Sequence, residues 1–102
     1  NKLLIIIQSI EKTDPNKTEE IKTLGLELKN AATWVLTSSS QDDYQQFSKQ
    51  AQWQFPFFFT DATVLKTIIR SSPGIVLLKN GVVVGKWHYN ATPSVSEIQH
   101  LL

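Results

Sequence analysis

The chain contains no cysteine among its 102 residues. That removes disulfide bonds, thiolate catalysis and cysteine-based metal sites. It does not fix a compartment, because a cysteine-free domain can reside in any of them. Methionine is missing as well. A natural reading frame opens on Met, whereas this chain opens on Asn1-Lys2, directly ahead of an apolar run. The expectation is a chain processed, trimmed or excised from a longer protein. Excision is favoured, because no signal-peptide pattern precedes the domain. The longest uninterrupted apolar run, Leu3 to Ile7, is five residues long, far short of the about 20 that cross a bilayer. Charge is nearly balanced, with ten basic residues against nine acidic and a net charge of +1. Such a balance makes no electrostatic case for nucleic acid or an anionic membrane surface. Three motifs are also missing: a glycine-rich phosphate loop, a serine-nucleophile elbow, and a basic patch with interleaved aromatics.

What is present reads as one globular α/β domain. Hydrophobic residues make up 41% and charged residues 19%, a folding rather than a disordered composition. The run Leu3-Leu4-Ile5-Ile6-Ile7 shows no alternation, which suits a central strand buried on both faces. Gln8 to Asn16 is polar and precedes a helix over Thr18 to Lys29, whose Ile21, Leu24 and Leu28 recur at helical spacing. Thr33 to Thr37 reads as a second strand. Ser38-Ser39-Ser40 supplies a turn and an N-cap, with Asp42 and Asp43 at the positive end of the helix that follows. Tyr44, Phe47 and Ala51 mark the buried face of that helix. The segment Phe55-Pro56-Phe57-Phe58-Phe59 contains proline, so a short edge or extended piece is expected. Asp61 caps a helix over Ala62 to Ile69. A hairpin follows, turning at Asn80-Gly81, the pair favoured in a type I′ turn. The last helix starts either at Thr92-Pro93 or at a Ser94–Glu97 capping box. The order β-α-β-α-α-β-β-α, with right-handed crossovers, predicts a mixed four-stranded sheet with helices on both faces.

Few residues carry recognisable chemistry. Ser72-Pro73 stands immediately ahead of an apolar strand, which marks a candidate cis-proline. Trp87 and Tyr89 alternate with Lys86 and His88 on the last strand. They offer either an aromatic patch for a partner or a cover for the edge of the core. His88 and His100 lie on different elements without a matched carboxylate motif, so no metal site is expected. Glu11 and Asp14 read either as paired carboxylates for acid–base work or cation binding, or as solvated loop residues with Asp14 turning the chain before Pro15. The second reading is favoured. Asn16-Lys17-Thr18 and Asn90-Ala91-Thr92 match the glycosylation sequon, a short and common pattern given no weight.

The stretch from Thr33 to Lys86 resembles thioredoxin-like proteins of the TlpA and peroxiredoxin kind. The resemblance rests on Trp34-Val35-Leu36, Gln52-Trp53-Gln54-Phe55-Pro56, Phe59-Thr60-Asp61, Ser72-Pro73 and the hairpin. More narrowly, IIRSSPGIVLLKNGVVVGKWHYN looks like the soluble C-terminal domain of DoxX-like bacterial membrane proteins, in which transmembrane helices precede a thioredoxin-like domain. The resemblance implies a three-layer thioredoxin-like sandwich. It also implies that Glu11 and Asp14 stand where redox-active relatives carry Cys-x-x-Cys. Neither carboxylate supports thiol–disulfide exchange, which needs a thiolate. A redox-inactive domain is therefore expected, with no cofactor. The expected function is binding of a partner or extended peptide near Ser72, Pro73 and Trp87. The rival expectation is a docking module of a membrane-bound oxidoreductase whose redox centre lies elsewhere. The implied location is the bacterial inner membrane through the full-length protein, on its extracytoplasmic side.

Overall fold

A computed structural model of the chain describes residues 1–10 and 13–102. Five strands form one mixed sheet in the order β3-β2-β1-β4-β5. Strand β1 (Lys2–Ile7) is central, parallel to β2 (Ala32–Thr37) and antiparallel to β4 (Gly74–Lys79). Leu3, Ile5, Ile6 and Ile7 are wholly buried. The unalternating apolar run is thus explained by a helix layer on either side of the strand.

The count of strands corrects the four-stranded expectation. Phe57–Phe59 forms β3, parallel to β2 through Val35–Phe57, Leu36–Phe58 and Thr37–Phe59. Pro56 does not prevent pairing. It lies just ahead of the strand, and its carbonyl accepts the Val35 N–H at 2.9 Å, which needs no donor from proline. On the other side β5 (Val82–His88) closes the hairpin with β4. Asn80 and Gly81 both take positive φ, 53° and 80°, as a type I′ turn requires.

The helices cover the two faces unequally. Helices α1 (Glu19–Glu27), α2 (Gln41–Ala51) and α4 (Val95–Leu101) share one face. There Ile21, Leu24, Tyr44, Phe47 and Ile98 pack on Leu3, Ile5, Val35, Ile75 and Leu77. Strand order moves steadily outward from β1 to β3, so right-handed crossovers place α1 and α2 on the same side. Among the described residues, α3 (Ala62–Ile68) and Ile69 just beyond it cover the opposite face, Leu65 packing with Leu4, Ile6 and Val76.

The caps follow local chemistry. Ser40 accepts the Asp43 N–H, and Asp61 accepts the Thr63 N–H. Of the two possible starts for the last helix, the Ser94–Glu97 capping box is formed. Among the described residues, no helix is long and apolar enough to cross a membrane.

Candidate functional site

The C-terminal ends of β1 and β2 and the loop that enters β4 meet at one end of the sheet. In open α/β sheets this end collects ligands. Serine hydroxyls tie the three segments together. Ser72 Oγ accepts the backbone N–H of Gln8 at 3.0 Å. Ser38 Oγ donates to the Gln8 carbonyl. The buried Ser39 Oγ accepts the Ile10 N–H at 2.9 Å, and Ser39 in turn donates its N–H to Thr37 Oγ1 at 3.1 Å. The backbone at Gln8 and Ile10 is therefore held from both sides by serine side chains. Thr13 ties this segment further, donating its hydroxyl to the Ser9 carbonyl at 2.8 Å.

The Ser72–Pro73 peptide bond is cis, and Pro73 is buried. The Ser72 hydroxyl is engaged with Gln8, but its own backbone N–H and C=O make no hydrogen bond to a described residue. Ser72 as a residue is half-buried. Beside it, a shallow depression is lined by Gln8, Thr63, Lys66, Thr67 and Arg70. Ser71 holds the loop from its other side, its Oγ donating to the Pro73 carbonyl and accepting the Tyr89 N–H at 3.4 Å.

Trp87 is not part of this corner. It pairs with Ile75 on the face that carries α1, α2 and α4, where it is half-buried against the larger core. A Cβ at Gly85 would lie 2.2 Å from the Trp87 ring, so the indole lies across that glycine and covers the sheet. Asp14 is exposed, and its carboxylate accepts the Asn16 N–H at 2.9 Å to cap the 3-10 turn Pro15–Thr18. Glu11 lies outside the described residues. His88 Nδ1 accepts the Asn90 N–H at 3.0 Å, and its ring packs against Tyr89 at 4.3 Å. His100 is exposed on α4. Among the described residues, no group of three or more histidines and carboxylates is disposed to hold a metal ion.

Among the described residues, one ionisable group is strongly perturbed. Burial pushes the Tyr44 phenol up from 10.0 to about 12. The neutral form is also the one that donates to the Phe55 carbonyl at 2.8 Å. This is a packing role within the larger core.

Ser38, Ser39 and Gln8 are the residues at the site that sequence reasoning missed. Ser38-Ser39-Ser40 reads as a turn, yet only Ser40 caps the helix, while Ser38 and Ser39 reach back 30 and 29 residues. No family model matches the chain, and no curated protein matches it.

Proposed function

We propose that this chain is a redox-inactive, thioredoxin-like binding domain that captures an extended peptide segment along the backbone of Ser72. The observation that carries this reading is the pairing state of Ser72. Its side chain accepts the Gln8 N–H, while its main-chain donor and acceptor have no hydrogen-bond partner among the described residues. An extended segment laid alongside Ser72 would complete those two bonds, as in strand addition, where main-chain bonds supply affinity and side chains supply selectivity. The bond from Ser71 to the Pro73 carbonyl holds the loop in place beforehand, which lowers the ordering cost of binding.

The absence of cysteine supports the redox-inactive part of this reading, because thiol–disulfide exchange requires a thiolate. The five-stranded order, with a parallel edge strand of three phenylalanines, is compatible with the TlpA-like resemblance of Thr33 to Lys86. Attachment to a DoxX-like membrane protein is part of the same reading and rests on the resemblance of the segment around Ile68 to Asn90. Fractionation of the native host addresses that attachment: an antibody signal in the membrane fraction, in a band well above 11.5 kDa, supports it. A soluble band of domain size contradicts it.

Peptide binding is tested by display selection of random peptides on the immobilised domain. Enriched peptides are expected to lose binding when a single central amide is N-methylated, since this removes one main-chain donor. Binding that tolerates N-methylation at every position overturns strand addition. Reduction of a disulfide substrate by the purified domain above the buffer rate overturns the redox-inactive assignment.

A further inference from the structure

The face of the sheet opposite α1, α2 and α4 is only partly covered. A seven-residue helix is about 10 Å long at 1.5 Å per residue. Five strands spread over about 20 Å. Leu65 seals Leu4, Ile6 and Val76. Beyond it the surface opens. Trp34 and Leu78 are half-buried, while Phe58 and Val83 are 44% and 46% exposed. Register places all four on this face. Phe58 pairs with Leu36, Leu78 with Val83, and the Trp34 and Phe58 rings meet at 4.9 Å.

Charge is divided by the sheet, which the near-zero net charge conceals. Helices α1, α2 and α4 carry six carboxylates (Glu19, Glu20, Glu27, Asp42, Asp43, Glu97) and two lysines, Lys22 and Lys49. The open side carries Lys2 on β1, Lys86 on β5, Lys66 on α3 and Arg70 just beyond it, against Asp61 alone. Lys2 Nζ stands 4.5 Å above the Trp34 ring, and Lys86 Nζ reaches the Ile68 carbonyl at 2.6 Å. Among the described residues, none of the four cations is paired with a carboxylate.

We infer that this open face docks an amphipathic helix of a partner protein, one whose apolar stripe is flanked by acidic residues. The helix would lie beside α3, on Trp34, Phe58, Leu78 and Val83, with its carboxylates toward Lys2 and Lys86. A second layer of this kind is the usual way an apolar sheet face is buried. Two other occupants fit less well. A second copy placed face to face would bring the lysines of both copies into one interface with Asp61 as the one carboxylate each contributes, an excess of like charge that opposes association. A flat lipid surface would rest on α3, which stands about 10 Å proud of the sheet, and would meet its exposed Thr63, Val64, Lys66 and Thr67, three of the four polar, before reaching Trp34.

The test is an NMR titration of the isotope-labelled full chain. The first probe is a helical peptide of about 18 residues, or roughly 27 Å, with a leucine stripe and glutamate flanks. The second replaces the glutamates by lysines. The third is a vesicle of phosphatidylcholine and phosphatidylglycerol. The expected result is a shift of the Trp34 indole and the Phe58 and Val83 amides with the acidic peptide, leaving Ser72 unmoved. The Lys2→Glu and Val83→Glu variants, both altered at accessible positions, should each weaken that binding at least tenfold. Equal binding of the lysine peptide, shifts confined to other residues, or association with the vesicle in place of the peptide would overturn the inference. So would concentration-dependent dimerisation that perturbs the same residues without any peptide.

Discussion

Gly25 lies in the last turn of α1, and glycine within a helix costs up to about 1 kcal/mol relative to alanine. On propensity alone, Gly25→Ala should stabilise the protein. The packing argues the reverse. A Cβ at Gly25 would stand 2.6 Å from Phe55 Cζ, 3.0 Å from its Cε1 and 3.2 Å from Thr33 Cγ2. The Phe55 ring has little room to withdraw, since it meets Trp53 edge-on at 5.4 Å and its carbonyl accepts the Tyr44 hydroxyl. Overpacking of this kind costs about 1–3 kcal/mol, which exceeds the propensity gain. Gly25→Ala is therefore expected to destabilise by about 1 kcal/mol net, a fall in melting temperature of roughly 4–8 °C for a domain of this size. The assay is thermal and urea unfolding of the four proteins of a double-mutant cycle with Phe55→Leu. In the Phe55→Leu background the ring end is gone, so the same alanine should become stabilising by about 0.5–1 kcal/mol. A stabilising alanine in the native background, or an equal loss in both backgrounds, would refute the claim that ring contact sets the sign.

Three further outcomes follow from the same structure. Ser39→Ala removes the acceptor of the buried Ile10 N–H and should cost about 1–3 kcal/mol in urea unfolding. Ser94→Ala breaks the capping box of α4 and should cost about 1 kcal/mol, with exchange of the α4 amides accelerated. Alkaline stability should track Tyr44, whose phenol is raised to about 12 by burial. The folded state holds that proton while the unfolded state releases it from about pH 10. The contribution is thus complete below about pH 10 and lost as pH rises through the folded value. Tyr44→Phe should flatten this slope in a pH series of unfolding curves.

The parts of the fold legible in the sequence are those set by local chemistry. The unalternating run Leu3–Ile7 announces a strand covered on both faces, and Asn80-Gly81 announces the hairpin turn. The spacing of Ile21 and Leu24 announces the buried face of α1. Phe57–Phe59 reads as a short extended piece rather than as a fifth strand, because Pro56 argues against a ladder. Its partner, Val35, bonds to the Pro56 carbonyl and needs no donor there. The unequal coverage of the two faces follows from strand order, which local periodicity does not encode. The Ser72 corner is half legible. The Ser-Pro step before an apolar strand stands out, but the anchoring by Ser38, Ser39 and Gln8 joins segments 29 to 64 residues apart. A serine in a polar turn gives no sign of which distant N–H it will accept. Trp87 lies half-buried on the larger core, its indole across Gly85.

The central claim is that the open backbone of Ser72 binds an extended chain. It is tested most directly by amide hydrogen exchange and chemical shift at Ser72, read in the labelled protein with and without a selected peptide. The account predicts that the Ser72 amide, which has no partner among the described residues, becomes protected from exchange and shifts on binding, while Trp87 and the Lys2–Trp34 face stay unchanged. A peptide that binds tightly yet leaves the Ser72 amide as fast and as unshifted as before would contradict it.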